Sequence, residues 1–119
     1  MSQPPALIYK IVPRALWQLA EDAGRFDGAP VDLADGFIHF STAAQVAETA
    51  ARHFAGQDDL LLVAIRTERL DPAALRFEPS RGGDLFPHLY APLELAAVAW
   101  VRDLPLGEHG RHLFPAFEG

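Results

Sequence analysis

Six consecutive residues, Leu60-Leu61-Leu62-Val63-Ala64-Ile65, carry no polar side chain. A run this short and this rich in Leu, Val and Ile reads as a strand, whose side chains alternate between two faces. Neither face can meet water, so the chain must lay apolar cover on both sides of it. With 119 residues and a prior of roughly 150 residues per domain, the material suffices for one such core. A single domain is expected, its core over about 7–105 and a C-terminal tail over 106–119.

Other segments supply the cover. Leu7-Ile8-Tyr9-Lys10-Ile11-Val12 reads as a strand with Leu7, Tyr9 and Ile11 on one face and Ile8, Lys10 and Val12 on the other, mostly apolar on both and so expected to be central. Pro13 suits the start of a helix running to about Ala23, and Gly24 suits its stop. Its expected buried stripe is Leu16, Leu19, Ala20 and Ala23, with Trp17 at the margin. Residues 24–35 read as a connection carrying Asp27, Asp32 and Asp35. Gly36-Phe37-Ile38-His39-Phe40 reads as a second strand. It leads into a helix whose Thr42 and Gln45 match a capping box, with Ala43, Val46, Ala47, Ala50 and Phe54 inward. Arg76-Phe77-Glu78 reads as a short extended piece, and Phe86-Pro87-His88-Leu89-Tyr90 as an edge strand, since proline cannot donate to a central ladder. Ala96 to Val101 is the last strand, before a tail holding Phe114 and Phe117. This order implies a mixed α/β or α+β domain.

Composition narrows the chemistry. Zero cysteine excludes disulfides, thiol catalysis and Cys-ligated metal. Ten Lys or Arg against sixteen Asp or Glu give a net charge of −6, which argues against nucleic-acid binding through phosphate contacts. The start lacks a basic leader, and no apolar stretch approaches the ~18–20 residues of a membrane span. A cytoplasmic protein with no membrane partner is therefore expected. No phosphate loop, dinucleotide fingerprint, zinc-protease helix or nucleophile elbow occurs. Gly82-Gly83 reads as a plain turn, and His109 with His112 as a solvated tail rather than a metal site.

Two histidine-bearing strings carry what chemistry there is. In the first, alternation places Phe37, His39 and Ser41 on one face, at the start of a helix. His39, Ser41 and Thr42 there form either an anion site or a core histidine with two capping hydroxyls. In the second, Phe86, His88 and Tyr90 point to one side: an acid/base group with a stacking ring, or an edge strand with an incidental histidine. Glu78 can orient a histidine, bind a ribose hydroxyl, or sit solvated. Lys10, the only lysine, lies inside a strand, where a carboxylate or a bound phosphate would offset its desolvation, or from which it snorkels out. His39, His88 and Glu78 also make a two-histidine, one-carboxylate set, which needs nitrogens close enough to share a metal. No metal is expected.

The strings Leu7-Ile8-Tyr9-Lys10-Ile11, Asp35-Gly36-Phe37-Ile38-His39-Phe40-Ser41-Thr42 with Gln45, and Phe86-Pro87-His88-Leu89-Tyr90 together resemble the bacterial domain of unknown function 952. The resemblance runs over roughly Ile8 to Pro105. It implies an α+β fold similar to that of the ADP-ribosyltransferases: a mixed, split β-sheet with two main helices, around a cleft that holds NAD in active relatives. On such a fold Tyr9 or Lys10, and His39 with Ser41, would face a ligand. Active transferases resemble one another in an Arg or His on the first strand, where this chain has Tyr9-Lys10.

The expected function is thus a cleft for NAD, ADP-ribose or a related phosphorylated nucleotide, with or without transferase activity. His39, His88 and Glu78 are its candidate catalytic groups, and Tyr9, Lys10, Ser41, Thr42 and Tyr90 its candidate ligand contacts. The alternative is a non-catalytic binding or interaction module in which the histidines are structural. Convergence of His39, His88 and Tyr90 on one concavity separates the two.

Overall fold

A computed structural model describes residues 4–116, with only the backbone of Arg81. Phe117, assigned to the tail above, lies outside the described residues. The apolar run forms β4 (Leu60–Arg66), and every residue from Leu60 to Ile65 is buried. It is the middle of a three-stranded sheet, between β1 (Leu7–Pro13) and β8 (Val98–Leu104). Its odd-numbered face, Leu61, Val63 and Ile65, packs with Ile8, Val12, Trp17 and Phe26. Its even-numbered face, Leu60, Leu62 and Ala64, packs with Tyr9, Ile11, Val46 and Leu104. One strand thus divides the interior in two, and the faces of β1 fall as the alternation predicts.

β1 is not central: it forms the edge of this sheet. Its burial comes from elsewhere. Beyond the ladder its free edge meets Ser41 in a reciprocal pair, Tyr9 N to Ser41 O and Ser41 N to Tyr9 O, both 2.8 Å. After β1 comes helix α1 (Arg14–Ala23), which stops at Gly24, a left-handed residue at φ 85° that glycine adopts without strain. Its buried residues are Trp17 and Ala20, whereas Leu19 is 65% exposed and Ala23 also faces solvent. The indole stacks on Phe26 at 5.7 Å. That large ring, with Leu16 half-buried against the same core, sets which side of the helix faces inward.

The connection 24–35 contains β2 (Arg25–Phe26) and a short helix α2 (Pro30–Asp35). β3 is only Ile38–His39, and α3 spans Val46–His53 with Val46 and Ala50 buried and Ala47 exposed. Half of the capping box forms: Gln45 Oε1 accepts from Thr42 N at 3.0 Å, but what Gln45 N reaches is the Thr42 carbonyl, also at 3.0 Å. Following β4, the chain makes β5 (Leu75–Pro79), β6 (Leu85–Leu89) and β7 (Leu93–Glu94). β2 pairs with β7, and β3-β6-β5 form a third sheet.

Every ladder is antiparallel. The sheet is split, as expected, but it is not mixed. The helices carry the chain from one sheet to another rather than returning it to the same sheet, so no parallel crossover arises. β6 is the middle strand of its sheet, not an edge, despite Pro87. The Pro87 carbonyl accepts from Phe40 N at 2.9 Å. In an antiparallel strand a residue's nitrogen and carbonyl point the same way, so the missing donor also faces β3. There the ladder stops at His39, opposite His88, while β5 pairs without interruption.

The tail folds back. Gly56 N donates to Gly110 O (3.1 Å), His112 Nε2 lies 2.8 Å from Gln57 O, and Phe114 packs on the second core cluster. Among the described residues no helix is long and apolar enough to cross a membrane.

Candidate functional site

Between the free edge of β1 and the β3–β6 pair lies a cleft of about 540 Å³. Tyr9, Lys10, His39, Ser41 and His88 all line it, so five of the expected site residues converge. Glu78 and Tyr90 stand behind His88 and reach the cleft only through it. Thr42 is outside, its amide engaged by Gln45 at the start of α3.

Cross-strand register places His39 opposite His88, and Arg76 and Glu78 on the strand beyond. The imidazoles lie edge to face at 5.5 Å between centroids. Phe37 packs against both, at 4.6 Å from His39 and 4.2 Å from His88, and meets Tyr90 at 5.1 Å. The alternation that grouped Phe37 with His39, and His88 with Tyr90, thus produces one aromatic cluster. Stacking of this kind fixes ring planes.

The two histidines are held differently. His39 Nδ1 lies 2.7 Å from Asp32 Oδ1 and Nε2 lies 2.9 Å from Asp35 Oδ2. Carboxylates only accept, and a neutral imidazole has one N–H, so both contacts are complete only when both nitrogens carry hydrogen. His39 therefore has no nitrogen left for a metal shared with His88. Among the described residues no group of three or more His, Asp or Glu could hold a metal ion.

His88 is 5% exposed, and its Nδ1 lies 2.8 Å from Glu78 Oε1. The Tyr90 hydroxyl donates to the same oxygen at 2.6 Å. First the Tyr90 hydroxyl and then His88 hold the Glu78 carboxyl below its ordinary range, and Glu78 in turn pushes the Tyr90 phenol up. An ionised Glu78 accepts a hydrogen bond from Nδ1–H, so in the neutral ring Nε2 bears a lone pair. That nitrogen has no partner among the described residues.

Asp32 is the residue the sequence concealed. It is 1% exposed and accepts from Lys10 Nζ (3.1 Å), Ala29 N (2.7 Å), His39 N (3.1 Å) and His39 Nδ1. Lys10 also donates to His39 O at 2.9 Å. The carboxylate expected beside Lys10 is thus supplied by the protein. Pro30 at the first helical turn with an acid shortly after it is a helix-start signature that would have drawn attention to Asp32.

Burial pushes the Asp32 carboxyl up, but the His39 ring, the Lys10 ammonium and the two amides outweigh it and hold it at about 2. Burial pulls the Lys10 ammonium down against the pull of Asp32. A depressed carboxyl stabilises the fold above its unfolded value of 3.8 and loses that contribution as pH falls toward 2. The expected loss is about 1–2 kcal/mol after allowance for solvent screening. Urea unfolding at pH 5 and pH 2 reads it as the difference between the wild-type slope and that of Asp32→Asn. Equal slopes would contradict the pairing.

The family model described as Protein of unknown function (DUF952) matches residues 11–101. The chain is similar to the crystal structure of protein CC0527 from Caulobacter crescentus, at 50% identity and a TM-score of 0.86, over 90% of this chain and 93% of that one. The solution NMR structure of the same protein agrees at 50% identity and a TM-score of 0.81, covering 90% and 91% of the two chains. No curated protein matches the chain.

Proposed function

The chain belongs to the DUF952 family of proteins of unknown function, and from the chemistry of its cleft we propose that it binds a phosphorylated nucleotide of the NAD or ADP-ribose class there, with His88 as the group that exchanges a hydrogen bond or proton with it. The observation that carries the reading is the Glu78–His88 pair. A carboxylate on Nδ1 fixes the tautomer and plane of the ring and makes Nε2 a base, the arrangement by which a histidine serves as general acid or base. The cleft volume falls within the roughly 300–1,000 Å³ of small-molecule sites. The nucleotide class and a transferase as the enzyme type come from the fold that the resemblance of the sequence strings to the domain of unknown function 952 implies.

One observation favours the structural reading for part of the site. His39 and Lys10 are both engaged by carboxylates, so they form the frame that holds β1, α2 and β3 together, and of the two paired imidazoles His88 is the working one.

Calorimetric titration with NAD, ADP-ribose and mononucleotides tests the proposal. Saturable binding to at least one is expected, weakened tenfold or more by His88→Ala and less by Glu78→Gln, both checked for native circular dichroism. No binding by the folded wild type, or unchanged affinity in His88→Ala, would overturn it.

A further inference from the structure

We propose that the part of the ligand lying against β3 and β6 is a hydrogen-bond donor, such as an amide, an amidine or a hydroxyl, and that any phosphate lies away from this wall. The inference rests on the cleft being a ligand site and assigns which end of the ligand enters. The functional groups on this wall are acceptors. His88 Nε2 bears a lone pair because Glu78 accepts a hydrogen bond from Nδ1–H. Thr49 donates its hydroxyl to Gln45 O at 3.2 Å, so Ser41 supplies the hydrogen of the 2.9 Å Ser41–Thr49 bond and its oxygen is left to accept. Asp35, which also lines the cleft, uses Oδ2 on His39 and keeps Oδ1.

Two basic groups beside these acceptors are already engaged by carboxylates. Lys10 and His39 face Asp32 and Asp35. Two carboxylates against one ammonium and one imidazole leave a local charge of minus one with the ring neutral, and zero with it protonated. The amide of Thr42 at the approach to α3 is taken by Gln45. A phosphate here would lose its water and find acceptors in return, whereas a donor group would pair with each of them. Asp35 adds repulsion for an anion and attraction for a cation.

Three ring compounds of nearly one shape separate the cases: benzamide, a neutral donor; benzamidinium, a cationic donor; and benzoate, which only accepts. Each is titrated into isotope-labelled full-length protein, with pyrophosphate as the free anion, while the resonances of His88 and Ser41 are followed. Benzamide and benzamidinium are expected to shift both, benzoate to bind at least tenfold more weakly, and pyrophosphate to leave His88 unmoved. In Asp35→Asn the preference for benzamidinium over benzoate is expected to narrow several-fold. Benzoate or pyrophosphate binding at His88 as tightly as benzamide would overturn the proposal, as would failure of both donor rings to bind. The nucleotide titration run beside it keeps the two readings apart. Nucleotide binding with benzoate preferred removes only the donor assignment. Donor rings binding without any nucleotide remove only the nucleotide class.

Discussion

Replacing Asp32 by alanine is expected to destabilise the protein by about 3–5 kcal/mol, the range for breaking a buried pair by removing one partner. The loss has three parts. The Lys10 ammonium, 8% exposed, keeps only the His39 carbonyl. The amides of Ala29 and His39 lose their acceptor. The imidazole of His39 loses the bond that orients it. Lys10→Met is expected to cost clearly less, because an apolar side chain of similar length fills the space and Asp32 retains both amides and the His39 ring. Urea denaturation of the two single variants and the double variant measures the asymmetry. Equal costs, or an Asp32→Ala variant within about 1 kcal/mol of wild type, would show that the buried carboxylate is not the organiser of this corner.

The second large effect is expected at the centre of the main sheet. Leu62 is fully buried on the face of β4 that packs with Tyr9, Ile11 and Val46. Truncation to alanine removes its transfer free energy and leaves a cavity, about 2–5 kcal/mol together. Leu19→Ala, on the solvent side of α1, is expected to change stability by no more than about 0.5 kcal/mol. Thermal and chemical denaturation of the pair check the assignment of inner and outer faces. A costly Leu19→Ala with a neutral Leu62→Ala would reverse it. Because Tyr9 and Ile11 line the cleft and rest on Leu62, any ligand affinity is expected to fall with the same substitution.

Those two residues also show what could be read from the chain. Leu62 was legible because a run with no polar member leaves one structural solution. Leu19 does not follow the expected stripe because a ten-residue helix has few turns over which periodicity can average, and one tryptophan outweighs one leucine. The histidine strings were legible for the same reason as β4: period-two alternation states which side chains share a face. His39 and His88 do converge, although Tyr90 reaches the cleft only by way of Glu78. Asp32 was not legible as a partner of Lys10. The two are 22 residues apart, and the segment that holds Asp32 reads as a polar connection whichever of its three aspartates turns inward. Pro87 misled in another way. The rule that proline avoids central strands concerns a donor, and here the donor is missing only where the neighbouring ladder has already ended.

The reciprocal pair between Tyr9 and Ser41 has a consequence for what the cleft admits. Its walls belong to two different sheets, fastened at this seam by two short backbone hydrogen bonds and by Lys10 reaching the His39 carbonyl. A seam of that kind yields little, since both bonds must lengthen together and the paired backbone on each side is stiff. The gap therefore has one resting width. A molecule that fits it meets ready-made walls, and a molecule one ring too broad must break the seam outright, at about 1 kcal/mol for each bond lost. Any size selection by the cleft is accordingly expected to act as a threshold, set by backbone rather than by the side chains a ligand would touch.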